Sequence, residues 1–244
     1  MMSAPGRNEE TDLPLVLLPG TLCDARVFGA ITPQLRATGY SIEHFDMTGL
    51  GSAHALAMRA LAQYPGRFIP VGFSLGAIVA LELAAIAPER IAALGLIAAN
   101  GRDVPPADHA ARRAAASSDP AALVGDILWP RSVAVRARDD HALRATIMDM
   151  AASQPAGTLA LQTEVALTRF DKRPLLARMT MPTLVLGGAE DRIAPPELQR
   201  ELAEELPEAE LVIVPDAGHF LPLERPEPCA RALADWLVRI RAVA

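Results

Sequence analysis

Residues 72–76, Gly72-Phe73-Ser74-Leu75-Gly76, place a serine at the point where a predicted strand meets a predicted helix. The preceding run, Phe68-Ile69-Pro70-Val71-Gly72, is apolar and typical of a buried strand, although its proline predicts that pairing starts late. Residues 74–87 form a strongly apolar helix that Pro88 ends. A serine on such a tight turn is exposed, and the helix N-terminus favours negative charge beside it. We therefore predict that Ser74 is a nucleophile in an elbow built with Gly72, Phe73 and Gly76.

Strand-like and helix-like segments alternate on both sides of this turn. Short apolar runs bounded by turn residues predict further strands at residues 14–18, 41–45, 94–98, 183–186 and 211–214. Helical patterns occupy residues 25–37, 53–63, 196–206 and 227–241. This alternation predicts an α/β fold with a mostly parallel central sheet flanked by helices.

Residues 101–176 interrupt the alternation, since no convincing strand occurs there. Helical patterns lie at residues 107–117, 120–128, 139–153 and 157–168, with prolines at their starts or in the turns between them. We predict a helical cap over residues 101–176, inserted into a core of residues 1–100 and 177–244. The first dozen residues are polar and predicted to be a loose tail.

Composition excludes several classes of protein. The chain has 244 residues, 51% of them apolar, which suits one α/β domain with a small insertion. The net charge is −6 and no basic patch is visible, so a nucleic-acid partner is not expected. No signal peptide and no apolar run of about 18 residues is found, which predicts a cytoplasmic protein without a membrane partner. The oligomeric state is not predicted.

The two cysteines, Cys23 and Cys229, are far apart in the sequence. Two such cysteines do not make a disulfide framework or a C-x-x-C pair. We expect both to be free, buried thiols.

A serine hydroxyl needs a base, and His219 is the best candidate among five histidines. It follows the last predicted strand, in Asp216-Ala217-Gly218-His219, and Gly218 allows this loop to bend toward the serine. Open α/β sheets gather their sites in such loops at the carboxyl ends of strands. We predict that His219 is the general base.

The acid that orients the histidine is expected between the two in sequence, because hydrolases with this elbow have the order serine, acid, histidine. Asp191 follows the strand of residues 183–186 and is our prediction for this role. Its neighbour Glu190 is a rival, and Asp103, after an earlier strand, is another. Helix capping before Pro195 is the alternative explanation for Asp191.

An oxyanion hole would complete the site, because the attacked carbonyl needs preorganised N–H donors. One predicted donor is the backbone N–H of Leu75, directly after the nucleophile. The other is predicted in the loop after the first strand, Pro19-Gly20-Thr21-Leu22, with Thr21 as first choice and Leu22 as second. This segment could also be only a tight turn.

At this point the chain resembles the α/β-hydrolase superfamily over nearly its whole length. The matching segments are residues 17–21, 72–76, 87–90, 188–191 and 218–226. The chain looks most like small capped carboxylesterases and lactonases, and is similar in layout to pimeloyl-carrier-protein methyl ester esterases and enol-lactone hydrolases. The resemblance implies that the helical insertion lies over the serine and shapes the substrate pocket.

Two segments depart from the usual family pattern. Pro19-Gly20 stands where most relatives have His-Gly, which implies altered support for the oxyanion loop. Gly49-Leu50-Gly51-Ser52 replaces the more usual Gly-His-Gly-x-Ser, and His54 is displaced from that pattern. We assign no role to His54.

These residues predict a serine hydrolase that cleaves a small carboxylic ester, lactone or thioester through an acyl-enzyme. The mechanism requires no metal and no organic cofactor, and the expected partner is a small ester-type substrate. Short or medium acyl chains are expected. The alternatives are a non-catalytic ligand-binding protein on the same fold, an acyltransferase and a cofactor-free perhydrolase.

Overall fold

The protein is represented by a computed structural model that describes residues 13–117 and 119–243. The tail predicted for residues 1–12 lies outside the described residues. Six strands form one sheet, namely β1 (Leu15–Leu18), β2 (Ile42–His44), β3 (Ile69–Phe73), β4 (Leu94–Ile97), β5 (Thr183–Gly188) and β6 (Ala209–Val214). Their order is β2-β1-β3-β4-β5-β6, and every neighbouring pair is parallel. The predicted fold class is confirmed.

Helices flank the sheet and fill the segment between β4 and β5. Around the sheet lie α1 (Thr32–Arg36), α2 (Ala53–Gln63) and α3 (Leu75–Ile86). Residues 101–176 contain α4 (Pro106–Ala115), α5 (Pro120–Ala122), α6 (Trp129–Ser132), α7 (His141–Ala152), α8 (Thr158–Leu167) and α9 (Arg173–Leu176). The C-terminal part contributes α10 (Pro196–Glu205), α11 (Leu221–Glu224) and α12 (Pro226–Val243). A π-helix, Leu123–Leu128, joins α5 to α6, and 3₁₀ turns occupy Ala25–Phe28, Pro88–Arg90 and Val135–Ala137.

The single helix expected over residues 25–37 is wrong, because the structure divides it. A 3₁₀ turn, Ala25–Phe28, ends where the N–H of Gly29 donates to the carbonyl of Arg26. The α-helix begins again at Thr32 with Pro33 in its first turn. Proline has no N–H to donate and suits only a first turn, so it marks a new start within this segment.

The sheet is buried on both faces. Along β1, Leu15 and Leu17 belong to one apolar cluster while Val16 and Leu18 belong to the other. Successive side chains of a strand point to opposite faces, so a strand covered by helices on both sides must be apolar throughout. This explains the continuous apolar runs in the sequence.

Pro70 lies inside β3, one of the central strands. On the β1 side its position pairs with Val16, whereas on the β4 side the regular ladder starts at Val71. Phe68 forms a bridge with Ile91, and Val71 pairs with Gly95. Between these two pairs, the β4 side contains one residue more than the β3 side. The extra residue lies where proline cannot donate a hydrogen bond, as expected for a bulge.

The strand order reverses direction next to β1. The chain runs from β1 to the edge strand β2 and then returns to β3 on the other side of β1. Loops leaving β1 and β3 therefore separate, and sites in open α/β sheets form at such switch points. Ser74 follows β3, Asp191 follows β5 and His219 follows β6, so all three lie at the carboxyl edge of the sheet.

Among the described residues, no helix combines the length and the apolar character that crossing a membrane requires. Between β4 and β5, residues 98–117 and 119–182 contain helices and turns and no strand. The division into core and cap stays a prediction, and residues 101–176 are called the insertion below.

Candidate active site

The backbone at Ser74 is strained. Its φ of 52° and ψ of −108° lie in a region that side-chain-bearing residues rarely adopt. The N–H of Ser74 donates to the carbonyl of Ile97 over 2.9 Å, which ties the turn to β4. A Cβ on Gly72 would lie 2.3 Å from the carbonyl oxygen of Gly76, and one on Gly76 would lie 2.0 Å from that of Leu18. Only glycine fits at either position.

The structure brings Ser74 and His219 together, although 145 residues separate them. Nε2 of His219 lies 2.9 Å from Oγ of Ser74. His219 is 6% exposed, and its imidazole contacts the ring of Phe73 at a centroid distance of 5.3 Å. Packing thus holds the ring in place while one nitrogen faces the hydroxyl.

Asp191 lies on the opposite side of the imidazole. Its Oδ2 is 2.8 Å from Nδ1 of His219, and the residue is 3% exposed. Its Oδ1 accepts hydrogen bonds from the N–H groups of Ile193 and Ala194 over 2.7 and 2.9 Å. Hydrogen bonds therefore compensate both oxygens of this buried carboxylate, as a buried charge requires.

The rival acids lie elsewhere. Oε2 of Glu190 accepts a hydrogen bond from the N–H of Val135 in the insertion, over 2.9 Å. Asp103 is exposed in the loop after β4. His54, to which the sequence assigned no role, lies with Nδ1 3.0 Å from Oε1 of Glu82.

The loop that carries His219 is packed tightly against its neighbours. A Cβ on Gly188 would lie 2.3 Å from the carbonyl oxygen of Gly218, and one on Gly218 would lie 2.6 Å from the backbone nitrogen of Ala134. The N–H of His219 donates to the carbonyl of Ser132 over 2.8 Å. The insertion therefore contacts the backbone of the histidine itself.

Glu224 on α11 also connects the insertion to the loop that carries His219. Both of its oxygens accept from the N–H of Gly218 at 3.1 Å, and Oε2 also accepts from the N–H of Ala134 at 2.7 Å. Burial raises the pKa of this carboxyl, and these N–H donors oppose that rise. Sequence reasoning missed Glu224, although an acid directly after the apolar run Phe220-Leu221-Pro222-Leu223 is a signal that could have drawn attention to it.

The predicted oxyanion donors come from the start of α3 and from the turn after β1. Leu75 is the first residue of α3, so its N–H points out of the helix N-terminus. Thr21 is exposed in the turn after β1, and Gly20 packs so closely on Phe73 that a Cβ there would lie 2.9 Å from the ring. Within residues 13–117 and 119–243, the N–H groups of Thr21 and Leu75 donate to no other group.

The second choice for this donor, Leu22, is wrong. Its N–H donates to Oε1 of Gln162 over 2.8 Å and is therefore already used. Sequence reasoning missed Gln162, and nothing in the sequence around this residue indicates that it reaches a loop 140 positions away.

Two cavities bear on where a substrate could bind. One, of about 450 Å³, lies beside Leu22 and Leu159, and small side chains between Ala151 and Ala160 form much of its wall. The other, of about 520 Å³, is lined by Thr183 and Trp236. Thr183 begins β5 whereas Asp191 follows the end of that strand, so the larger cavity lies at the edge away from Ser74. The cavity beside Leu22 shares that residue with the loop of Thr21, but Ser74, His219 and Asp191 do not line it. Its size suits a small ligand.

Comparisons with known proteins agree with this fold. A model of the alpha/beta hydrolase family matches residues 15–232. The pimeloyl-(acyl-carrier protein) methyl ester esterase of Klebsiella pneumoniae is 31% identical over 228 residues, which cover 86% of this chain and 88% of that protein. A Mycobacterium tuberculosis protein provisionally named as the non-heme bromoperoxidase BpoC is 28% identical over 236 residues, with coverage of 86% and 87%.

Among solved structures, the thermophilic esterase of Thermogutta terrifontis superposes with a TM-score of 0.84 at 26% identity, over 94% of this chain and 91% of that one. The family model and the Klebsiella relative both cover most of the chain. They confirm the family predicted from the sequence: this chain belongs to the alpha/beta hydrolase family.

Proposed function

We propose that this protein is a serine hydrolase that cleaves small carboxylic esters through a Ser74–His219–Asp191 triad. It is a hydrolase that acts on ester bonds. One observation carries the proposal, namely the continuous chain of contacts from Oγ of Ser74 through both imidazole nitrogens to Oδ2 of Asp191. Nucleophilic catalysis needs a nucleophile, a base within hydrogen-bond reach of it, and a group that orients the base.

In the resting state His219 carries its proton on Nδ1, and this N–H donates a hydrogen bond to the carboxylate of Asp191. Nε2 is then free to accept a hydrogen bond from the hydroxyl of Ser74. As Oγ attacks the ester carbonyl, its proton moves to Nε2 and the buried carboxylate of Asp191 stabilises the imidazolium. The carbonyl oxygen becomes an alkoxide, and the N–H groups of Thr21 and Leu75 are the proposed donors to it.

The tetrahedral intermediate collapses when the bond to the leaving oxygen breaks and Nε2 returns its proton to the departing alcohol. An acyl group then remains on Oγ of Ser74. Water attacks this ester with His219 again as base, and the carboxylic acid leaves as the serine hydroxyl is restored.

One candidate for the acyl pocket is the cavity beside Leu22, which shares that residue with the loop of Thr21. Its volume of about 450 Å³ lies at the lower end of the range for small-molecule sites. We propose short or medium acyl chains as the substrates. The names of the Klebsiella and Thermogutta relatives, both esterases, support the same class of reaction.

The test measures hydrolysis of p-nitrophenyl acetate and butyrate by the wild type and by Ser74→Ala. Loss of the nucleophile should lower kcat/KM by about 10³-fold or more, because triad members act as a unit. A fluorophosphonate probe should add one label to the wild type and none to the variant. Equal hydrolysis by both proteins would refute the proposal, and a wild type that neither hydrolyses nor labels would indicate a binding protein on this fold.

A further inference from the structure

Gln162 is a fully buried amide that links the insertion to two loops of the core. It lies on α8 with 0% exposure. Its Oε1 accepts from the N–H of Leu22 over 2.8 Å, and its Nε2 lies 3.4 Å from the carbonyl oxygen of Met47. Because one contact needs an acceptor and the other a donor, the amide has a single favourable orientation.

Leu22 has an unusual backbone. Its φ of 56° lies in the left-handed region, where glycine or asparagine is normally found. The residue is the third of a turn that closes where the N–H of Cys23 donates to the carbonyl of Gly20 over 3.1 Å. A bulky residue keeps such a conformation only when its surroundings enforce it.

The peptide between Thr21 and Leu22 is held at both ends. Gln162 accepts from its N–H, and the thiol of Cys23 donates to its carbonyl over 3.3 Å. The preceding peptide, between Gly20 and Thr21, carries the N–H proposed to face the oxyanion. Its carbonyl is the acceptor that closes the turn. The direction of the Thr21 N–H is thus coupled to the conformation that Gln162 enforces at Leu22.

We propose that Gln162 is a positioning residue for the oxyanion hole, an inference that rests on the proposed function. Through Leu22 it keeps the N–H of Thr21 directed at the oxygen that becomes negative during the reaction. The amide comes from the insertion and the turn from the core. The insertion therefore sets the geometry of the oxyanion hole.

A residue with this role affects the transition state more than the bound substrate, because the oxyanion forms only during the reaction. Gln162→Met keeps the shape of the side chain and removes both polar groups. Its kcat for p-nitrophenyl butyrate should fall by about 10- to 100-fold, which does not exceed the effect of removing one oxyanion-hole donor completely. Its KM should change by less than about threefold.

The matched control is Thr183→Val. Thr183 is 1% exposed and donates from its hydroxyl to the carbonyl of Met181, at the edge of the sheet away from the site. Its variant also loses a buried hydrogen bond and should have a lower Tm, yet its kcat should stay within about twofold of the wild type, since surface and core changes far from a site act on stability alone. Gln162→Glu, which keeps an acceptor for the N–H of Leu22, should retain more kcat than Gln162→Met.

A trifluoromethyl ketone provides a second readout, because its adduct with the serine places a negative oxygen in the oxyanion hole. Its Ki should rise in Gln162→Met by about the same factor as kcat falls. An equal loss in Gln162→Met and Thr183→Val, or a rise in KM with kcat unchanged, would overturn the proposal and leave Gln162 as a structural residue only.

If Gln162→Met does not fold, the proposal can still be tested by measuring amide hydrogen exchange on the wild type. The amide of Leu22 should exchange slowly for a turn residue, because a buried acceptor holds it, and rapid exchange would overturn the proposal. Failure of the proposed function itself has a different signature. If the proposed function fails, the wild type does not react with fluorophosphonate at Ser74. If only the inference about Gln162 fails, the wild type and Gln162→Met react with fluorophosphonate equally well.

Discussion

Glu224 in α11 accepts a hydrogen bond of 2.7 Å from the backbone N–H of Ala134 in the insertion. The same carboxylate accepts from the N–H of Gly218, the residue before His219. A core acid therefore holds an insertion segment and the histidine loop at once. The carbonyl of Ser132, which accepts from the N–H of His219, adds a second link between these two segments.

Replacement of Glu224 by glutamine should destabilise the protein. The variant keeps the size of the side chain, but one oxygen becomes an NH₂ group that faces an N–H donor. An unsatisfied buried donor costs about 1–3 kcal/mol, which corresponds to a fall in Tm of roughly 2–12 °C for a chain of this length. Calorimetry measures the effect. Glu227→Gln, at an exposed acid three residues later, is the control and should leave Tm within about 1 °C, as surface changes do. Equal Tm values for the two variants would contradict this role of Glu224.

Asp191→Asn should nearly abolish hydrolysis, whereas Glu190→Gln should not. An amide NH₂ facing Nδ1 favours the tautomer with its proton on Nε2, which cannot accept from Ser74. The expected fall in kcat is about 10³- to 10⁴-fold. Glu190 binds the N–H of Val135, and its glutamine variant keeps an acceptor for that group. A larger loss in Glu190→Gln than in Asp191→Asn, measured with p-nitrophenyl butyrate, would reverse the assignment of the acid.

Ser74→Gly should be more stable than Ser74→Ala. Both variants lack the nucleophile, but only glycine adopts a φ of 52° without strain. A difference of about 1 kcal/mol is expected from relief of this strain, or roughly 2–4 °C in Tm. Thermal unfolding of the two variants side by side provides the measurement. If the alanine variant melts at the same temperature or higher, the elbow stores no strain at this residue.

The ion pair between Glu82 and Lys172 should make stability depend on pH in the acid range. Burial alone would raise the pKa of Glu82, but hydrogen bonds and charges from Lys172 and His54 outweigh it and hold the pKa below 4.5. The folded pKa thus lies below the unfolded one, so the stabilisation is complete above about pH 4.5 and is lost as pH falls through the folded pKa.

The difference in Tm between the wild type and Glu82→Gln should therefore be largest near neutral pH and should narrow below pH 4.5. The exposed Glu204 on α10 provides the control, since Glu204→Gln should follow the wild type at every pH. A gap that stays constant or widens toward low pH would show that the carboxylate of Glu82 is not stabilised by its neighbours.

Both cysteines should resist thiol reagents in the native protein. Burial raises the pKa of Cys23 and of Cys229 to about 12, and both residues are buried. The thiolate is the reactive form and is scarce at pH 8. An aromatic disulfide reagent should therefore release no colour within an hour at pH 8, and should titrate two thiols per chain in denaturant. Rapid reaction of one native thiol would contradict the burial of that residue.

Most of the fold could be predicted from local patterns. Continuous apolar runs predicted the strands because a sheet covered on both faces requires them, and the run of residues 53–63 coincides with α2. The segment of residues 25–37 was misread because its apolar spacing continues through a break at Gly29 and Pro33. Spacing reports which side faces the core, but it does not report where backbone hydrogen bonds stop.

The fold class, the glycine-serine elbow and the three side chains proposed for the triad could all be inferred from the amino-acid sequence. These depend on residue type at short range, on strand and helix periodicity, and on the chain order of the loops at one sheet edge. The residues that support this site became visible only in the three-dimensional packing. Gln162 lies 140 residues from Leu22, and Glu224 lies 90 residues from Ala134. Such contacts form when helices of the insertion pack on the core, and no local pattern encodes which buried polar group will meet which backbone N–H. Because every buried donor needs an acceptor, packing alone selects these partners.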